Sequence, residues 1–303
     1  MKKKRRIKQI LTLSKVLDEF IEFTEQKNLS PVSVSTYRYT CESFIDAIGD
    51  IEVNQLNQDK LNEFIKWLDI NRNYNSISKN TTFNTLNVFL HFLYEKNYIF
   101  TNLKFKFLKV DRKIKTIYTD TELKVILKKP DEECTFSEYR NYIMAHVVLN
   151  LALRVRTLSE IKIEDIDMKE KTITLHALKN RQEVIMKIPQ PLYKVLKEYF
   201  EDYEFNDNDY LICSLRGKKM NTGSISKSFK RYCRNRGVIK EGSVHLLRHT
   251  YSSMFMKSGG NIYALSKILG HSNVSITENY LRSLGVNDFV DELERFNPVA
   301  GLK

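Results

Sequence analysis

Between Thr12 and Lys96, apolar residues recur at helical spacing in four closely set blocks, and nothing else in the chain restricts its fold as much. Leu13, Val16, Leu17, Phe20, Ile21 and Phe23 form one stripe of a helix that begins near Thr12. Leu29-Ser30-Pro31 interrupts it. Ser30 is placed to cap the next helix, and Pro31 to take its first position, where a missing N–H costs nothing. Val34, Tyr37, Phe44, Ile45 and Ile48 carry that second helix to Gly49. Leu61, Phe64, Ile65, Trp67 and Leu68 mark a third helix over 58–71, and Leu86, Phe89, Leu90, Phe92 and Leu93 a fourth over 78–96. Short loops leave these stripes only one another to pack against, so residues 12–101 are expected to form a compact all-α domain.

The chain has 303 residues, enough for a second domain with its own core, and a formal net charge of +12 that points to an anionic partner. The basic groups recur in several stretches, which favours nucleic acid over a membrane surface. Lys2, Lys3, Lys4, Arg5, Arg6 and Lys8 make a positive arm over 1–11, either a solvated tail or a DNA-touching one. Lys104, Lys106, Lys109, Arg112, Lys113 and Lys115 dominate 102–118, where periodicity fades; this stretch reads as a basic interdomain linker. No apolar run approaches the ~18–20 residues of a membrane span, and the apolar stretch after the arm is too short for a signal peptide. Cys41, Cys134, Cys213 and Cys233 form no C-x-x-C pair, which argues against a zinc ribbon or a disulfide framework. The expected location is the cytoplasm.

The second domain should span 119–303. Thr119-Asp120-Thr121-Glu122 offers a capping box, and a helix over about Phe136 to Leu153 leads to Arg154. Ile161–Ile163, Thr172–Leu175 and Glu183–Ile188 read as short strands, the last two joined by a polar turn that contains Lys179. From Pro191 the pattern is helical again, with loops around Asp207 and Gly217. The expected class is mainly α: an all-α N-terminal domain followed by an α+β domain with a small antiparallel sheet.

The chemistry concentrates between Ser243 and Leu281. His245, Arg248 and His249 share one turn of a helix, His271 follows a Leu-Gly turn, and Tyr280 comes nine residues later. A guanidinium to hold phosphate oxygens, an imidazole to move protons and a phenol as nucleophile are what phosphodiester cleavage by a side chain requires. The spacing of His245 and His249 matches a zinc-binding helix, but Leu246 stands where its glutamate would be. His249 is expected to be a buried partner near Arg248. Gly217-Lys218 lacks the earlier glycine of a phosphate-binding loop. Arg154 alone would ordinarily be a surface ion-pair partner, Lys179 a solvated lysine and Tyr280 a packed aromatic. In the first domain Ser33, Thr36, Tyr37 and Arg38, and Lys79, Asn80, Thr81 and Thr82, cluster near helix starts, where short polar side chains suit a phosphate backbone or serve as caps. Lys227, Lys230, Arg231, Arg234 and Arg236 line one helix, either as a solvated face or as a grip on DNA.

RVRTLSEIKIEDID, LKNRQEV, HLLRHT and ILGHSNVSITENYL resemble, in order and rough spacing, the successive motifs of the tyrosine site-specific recombinases, or phage-type integrases. LSPVSVSTYRYTCESF resembles that family's helical core-binding domain, so the resemblance runs from about residue 12 to 297. It implies a catalytic role for the second domain, with both domains closing around duplex DNA. Arg154 and Arg248 would clamp the scissile phosphate, Lys179 would protonate the departing 5′ hydroxyl, and His245 would assist proton transfer from the nucleophile. His271 would orient the phosphate, and Tyr280 would form a 3′-phosphotyrosyl link. Because that ester keeps the bond energy, no cofactor, metal or ATP is expected. The sequence departs from the family where Ala152-Leu153 replaces a common Thr-Gly and Thr157 a common acidic residue; Arg156 competes with Arg154 for the first position, and alignment back from Asp165-Ile166-Asp167 favours Arg154. Phe289, Val290, Leu293 and Phe296 form a stripe that either packs on its own domain or, as the resemblance implies, docks on a neighbouring protomer in a homotetramer on DNA. The phrasing points to an integrase of a phage or conjugative element, assisted by an excisionase or other accessory protein; a Xer-type chromosome-dimer resolvase and a type IB topoisomerase-like enzyme are the alternatives.

Overall fold

The computed structural model describes residues 11–110, 116–176, 183–271 and 273–281, with residues 279–281 described by backbone alone. The chain divides into two compact units, 1–113 and 114–303.

In the first unit α1 (Leu13–Gln26), α2 (Pro31–Ile48), α3 (Gln58–Asn71) and α4 (Ser76–Glu95) follow the four apolar blocks. Ser30 Oγ accepts from the Ser33 N–H and Pro31 opens α2, which stops at Gly49 with φ 85°. Asn57 and Asn75 cap α3 and α4 in the same way. The core is strongly aromatic: Phe20, Phe44, Phe64, Phe83 and Phe89 are all fully buried. Each such ring removed from water contributes roughly 1.5–3 kcal/mol, which binds the four helices together.

The stretch read as a linker does not run free along its whole length. Leu103 and Phe105 turn inward while Lys104 and Lys106 stay exposed, the period-two alternation of extended chain. Phe105 stacks on Phe83 with ring centroids 4.9 Å apart. Two asparagine amides two turns apart on α4 clamp the backbone beside it. Asn87 donates to the Phe105 carbonyl at 3.1 Å and accepts from its N–H at 2.8 Å; Asn80 does the same for Leu108 at 2.9 and 2.8 Å. At the far end Tyr118 lies in the core of the second unit. The apolar alternation hidden among the lysines explains the correction.

The second unit opens with the capping box: Thr119 Oγ1 accepts from the Glu122 N–H, and the Glu122 carboxylate accepts from the Thr119 N–H. Its helices are α5 (Asp120–Ile126), α6 (Phe136–Leu151), α7 (Val155–Leu158), α8 (Gln190–Asp202), α9 (Thr222–Asn235), α10 (Val244–Lys257), α11 (Ile262–Ile268) and α12 (Val274–Leu281). α6 is the central member. Ile143, Met144, Ala145, Val147 and Val148 are buried, and it packs on α8, α9 and α10.

β1 (Ile166–Asp167), β2 (Thr172–Leu175) and β3 (Val184–Lys187) form a small antiparallel sheet in that order, with Thr172 opposite Lys187 and Leu175 opposite Val184. The strand expected at Ile161–Ile163 is absent. Lys162 makes one isolated bridge to Tyr210, and the chain then turns through a 3-10 segment over Ile163–Asp165. The Asp165 carboxylate accepts from the Lys162 N–H at 2.8 Å, closing the turn and deferring the strand to Ile166. The base of the β2–β3 hairpin is tied by His176, whose Nδ1 meets Glu183 and Nε2 meets Asp165, both at 2.9 Å. The fold is mainly α with one small antiparallel sheet, as the sequence pattern predicts. Among the described residues no helix is long and apolar enough to cross a membrane.

Candidate active site

α6 ends abruptly. Ala152, its C-cap, takes the left-handed conformation at φ 52° and ψ 32°, and the chain turns so that Arg154 caps the start of α7. α10 begins at Ser243, whose hydroxyl accepts from the Leu246 N–H; its winding buries Arg248 and His249 and leaves His245 exposed. α11 ends in a glycine turn. Gly270, at φ 60°, donates to the Lys267 carbonyl at 2.9 Å, and His271 donates its N–H to Ser266 at 3.0 Å. This pair of bonds is the Schellman arrangement, which directs the last helical carbonyls toward donors outside the helix.

Those donors are the two arginines. Arg248, only 2% exposed, gives one Nη2 hydrogen to the Leu269 carbonyl at 2.7 Å and its Nη1 to the Ala152 carbonyl. Arg154 reaches the Gly270 carbonyl with both terminal nitrogens at 3.4 Å. The negative end of α11 thus holds both guanidinium groups side by side. A Cβ on Gly270 would sit 3.5 Å from Arg154 Nη1, so glycine serves here for its φ more than for space. Arg156, the second residue of α7, is exposed.

His271 joins the group. Arg248 Nη2 lies 3.1 Å from His271 Nε2, and a guanidinium has only donors, so Nε2 accepts and Nδ1 carries the hydrogen. That Nδ1 hydrogen is donated to Thr277 Oγ1 at 2.9 Å. Burial, together with the positive charges of Arg248 and Arg154, pushes the His271 pKa down to about 4, so the ring is neutral near pH 7. Thr277 is fully buried on α12, one turn before Tyr280, and α12 packs on α10 and α11. The backbone of Tyr280 is therefore carried by the helix that His271 anchors; Lys179 lies outside the described residues. The strands on either side of it nonetheless face the arginines. Leu175, Val184 and Met186 share a cavity of about 270 Å³ with Arg154, Arg248 and Lys267.

Residues 117–285 match the phage integrase family, and residues 16–98 match the phage integrase N-terminal SAM-like domain. The chain belongs to the phage integrase family. Members of this family, the tyrosine recombinases, cleave and rejoin DNA strands. A tyrosine recombinase of Thermosipho africanus is 23% identical over 96% of this chain and 100% of its own length. Tyrosine recombinase XerA of Thermococcus kodakarensis is 25% identical over 89% of this chain and 91% of its own. Among solved structures, the Tn1549 transposon integrase in complex with a circular intermediate DNA superposes with a TM-score of 0.78 at 16% identity, covering 94% of this chain and 99% of the other. A lambda integrase tetramer bound to a Holliday junction gives 0.73 at 16% identity, covering 91% and 79%. Both share the integrase fold.

The integrase residues expected to touch DNA fall in varied surroundings. In the first unit Ser33 is engaged in the cap of α2, Tyr37 packs edge-on against Phe20, and Arg38 pairs with Asp18 at 3.2 Å. Lys79 pairs with Asp69, Thr81 donates to the Ile77 carbonyl, and Asn80 holds Leu108 as above. In the second unit Lys227, Lys230 and Arg231 are exposed on α9, with Lys230 paired to Glu241.

Sequence reasoning missed three contributors: Thr277, the Ala152, Leu269 and Gly270 carbonyls, and the contact of His249 with His245; the burial expected of His249 is found. A backbone acceptor has no signature in residue identity. Thr277 had a weak one, three residues before Tyr280 in a helical stretch.

Proposed function

We propose that this integrase cleaves and rejoins duplex DNA through a covalent 3′-phosphotyrosyl intermediate at Tyr280. The carrying observation is the convergence of Arg154, Arg248 and His271 on the end of α11, with Thr277 linking His271 to the helix of Tyr280. Arg154 and Arg248, gathered at the end of α11 by main-chain carbonyls, concentrate positive charge for the non-bridging oxygens of one phosphate, and that charge stabilises a pentavalent transition state. A free phenol has a pKa of about 10, so attack near pH 7 needs a base and nearby cations. The Tyr280 oxygen bonds to phosphorus as its proton passes to His245. The bond to the 5′ oxygen breaks, and that oxygen takes a proton from Lys179. Resealing runs the same steps backwards. His271, neutral and accepting from Arg248, aims that guanidinium at the phosphate.

Tyr280 acts in cis in this scheme, because α12 packs on α10 and α11 of its own chain. Ser33, Tyr37, Arg38, Lys79, Asn80 and Thr81 in the first unit, and Lys227, Lys230 and Arg231 in the second, grip the duplex backbone, and four copies assemble for strand exchange. The biological setting is integration and excision of a mobile element, for which the likeness to the Tn1549 integrase is the support. The relatives named XerA and XerC support a second reading, a Xer-type resolvase of chromosome dimers.

The test uses nicked suicide duplexes selected from a randomised pool. The wild-type chain is expected to form a protein–DNA adduct that survives denaturation, and Tyr280→Phe to form none. A mixture of Tyr280→Phe and Arg248→Met chains stays inert if cleavage is in cis. An adduct with Tyr280→Phe alone places the nucleophile elsewhere and removes the proposal. Deletion in the host separates the two settings: loss of a circular excised element marks an integrase, and accumulation of dimeric chromosomes marks a resolvase.

A further inference from the structure

α10 carries two imidazoles one helical turn apart that face each other. His245 Nε2 and His249 Nε2 are 3.1 Å apart, with ring centroids at 4.6 Å and planes at 81°. His249 is 5% exposed, whereas His245 is exposed to solvent. We infer that His249 is a positioning residue: it accepts a hydrogen bond from His245 and holds that ring while it carries the nucleophile's proton. The inference rests on the proton-transfer role proposed for His245.

A neutral imidazole has one N–H and one lone pair, so a single bond between the two Nε2 atoms uses a donor from one ring and an acceptor from the other. When His245 takes the proton of Tyr280, both its nitrogens carry hydrogen and its Nε2 can only donate. His249 must then accept at Nε2 and keep its own hydrogen on Nδ1. The bond becomes charge-assisted, roughly twice as strong as its neutral form, at the moment the proton arrives. A second imidazolium at this distance would repel the first, so the pair takes up one proton and His249 neither gains nor loses one.

An aspartate could orient the ring equally well, as the carboxylate does in a serine protease triad. It would also place a negative charge beside two guanidinium groups whose task is to bind a phosphate. An imidazole orients without that opposition. The i, i+4 spacing on one rigid helix makes the contact cheap in conformational entropy, because neither ring depends on a loop for its position.

The experiment measures adduct formation on the selected nicked duplex for full-length chains, with duplex affinity measured alongside. His249→Phe keeps a buried ring and removes both nitrogens. It is expected to slow adduct formation about 10–100-fold, the range typical of deleting the group that orients a functional imidazole, with affinity unchanged. His249→Gln, whose amide reaches the same point, is expected to recover most of the rate. In a His245→Ala chain the His249→Phe change is expected to alter the rate by less than about twofold, since the ring it positions is already gone. If the Phe chain does not fold by circular dichroism, His249→Asn, too short to reach His245 Nε2, replaces it. Wild-type rates in Phe or Asn, or an undiminished loss in the His245→Ala background, overturn the inference; the latter assigns His249 to packing alone. These outcomes are separable from the wider proposal, which fails only if Tyr280→Phe still yields adduct.

Discussion

The two units bury different kinds of group. Among the described residues of the first, Thr24 is the one buried polar side chain, and the interior is otherwise aliphatic and aromatic apart from the Cys41 thiol. The second unit buries Arg140, Asn141, Thr157, Arg248, His249, Thr250, Ser252 and Thr277 among others. A buried polar group costs free energy unless its partners are built in. Arg140 shows how this is done away from the site: it donates to the Cys213 carbonyl at 2.6 Å and to Ser228 at 3.2 Å. The first unit is held by contact area and tolerates change in proportion to volume. The second is held by directional bonds, and there small edits should have effects out of proportion to their size.

Substitutions put that contrast to the test. The largest effect on stability is expected from Phe89→Ala in the aromatic core, a loss of about 3–5 kcal/mol measured by urea titration, because a full ring is removed with little scope for collapse. Phe89→Leu should cost much less. Arg248→Met, nearly the same in volume, is expected to lower the rate of adduct formation about 10²–10³-fold and to cost about 1–3 kcal/mol of stability by leaving the Ala152 and Leu269 carbonyls without their donor. If Arg248→Met behaved like a volume-matched change in the first unit, the contrast would fail.

A smaller effect should appear with pH. His271 has a pKa near 4 when folded, below the ~6.5 of an unfolded histidine, so the unfolded chain binds more protons between those values. The resulting stability is full above pH 6.5 and declines as pH falls toward 4. His271→Gln should flatten that part of a Tm-versus-pH curve; an unchanged slope would mean that the ring is not buried among cations. The smallest expected change is a gain. Ala152 occupies a left-handed C-cap that glycine adopts without strain, so Ala152→Gly should stabilise by about 0.5–1 kcal/mol by thermal melt.

The sequence was most legible where local chemistry decides local structure. Ser30-Pro31 and Thr119 announced helix starts because capping depends on a side chain and the next few N–H groups. His249 was expected to be buried on α10, and it is. What escaped was non-local. Phe105 looked like part of a basic tether because its partners, Phe83 and Asn87, lie on a helix that ends before it. Ile161–Ile163 alternates like a strand, but the Asp165 carboxylate closes a turn there instead. The grouping of Arg154 with Arg248 rests on carbonyl oxygens, which every residue carries and no sequence advertises.

The glycine turn at Gly270-His271 bears on any attempt to move this chemistry to another scaffold. Copying six side chains would transfer the reagents without the frame, since what gathers the arginines is a severed helix end whose oxygens point outward. A transplant should therefore carry Ile262 through Thr277 as one piece, and splices between relatives belong beyond Leu281. Lengthening the turn by a single residue would rotate its carbonyls away, leaving a chain with every named group present and nothing to assemble them.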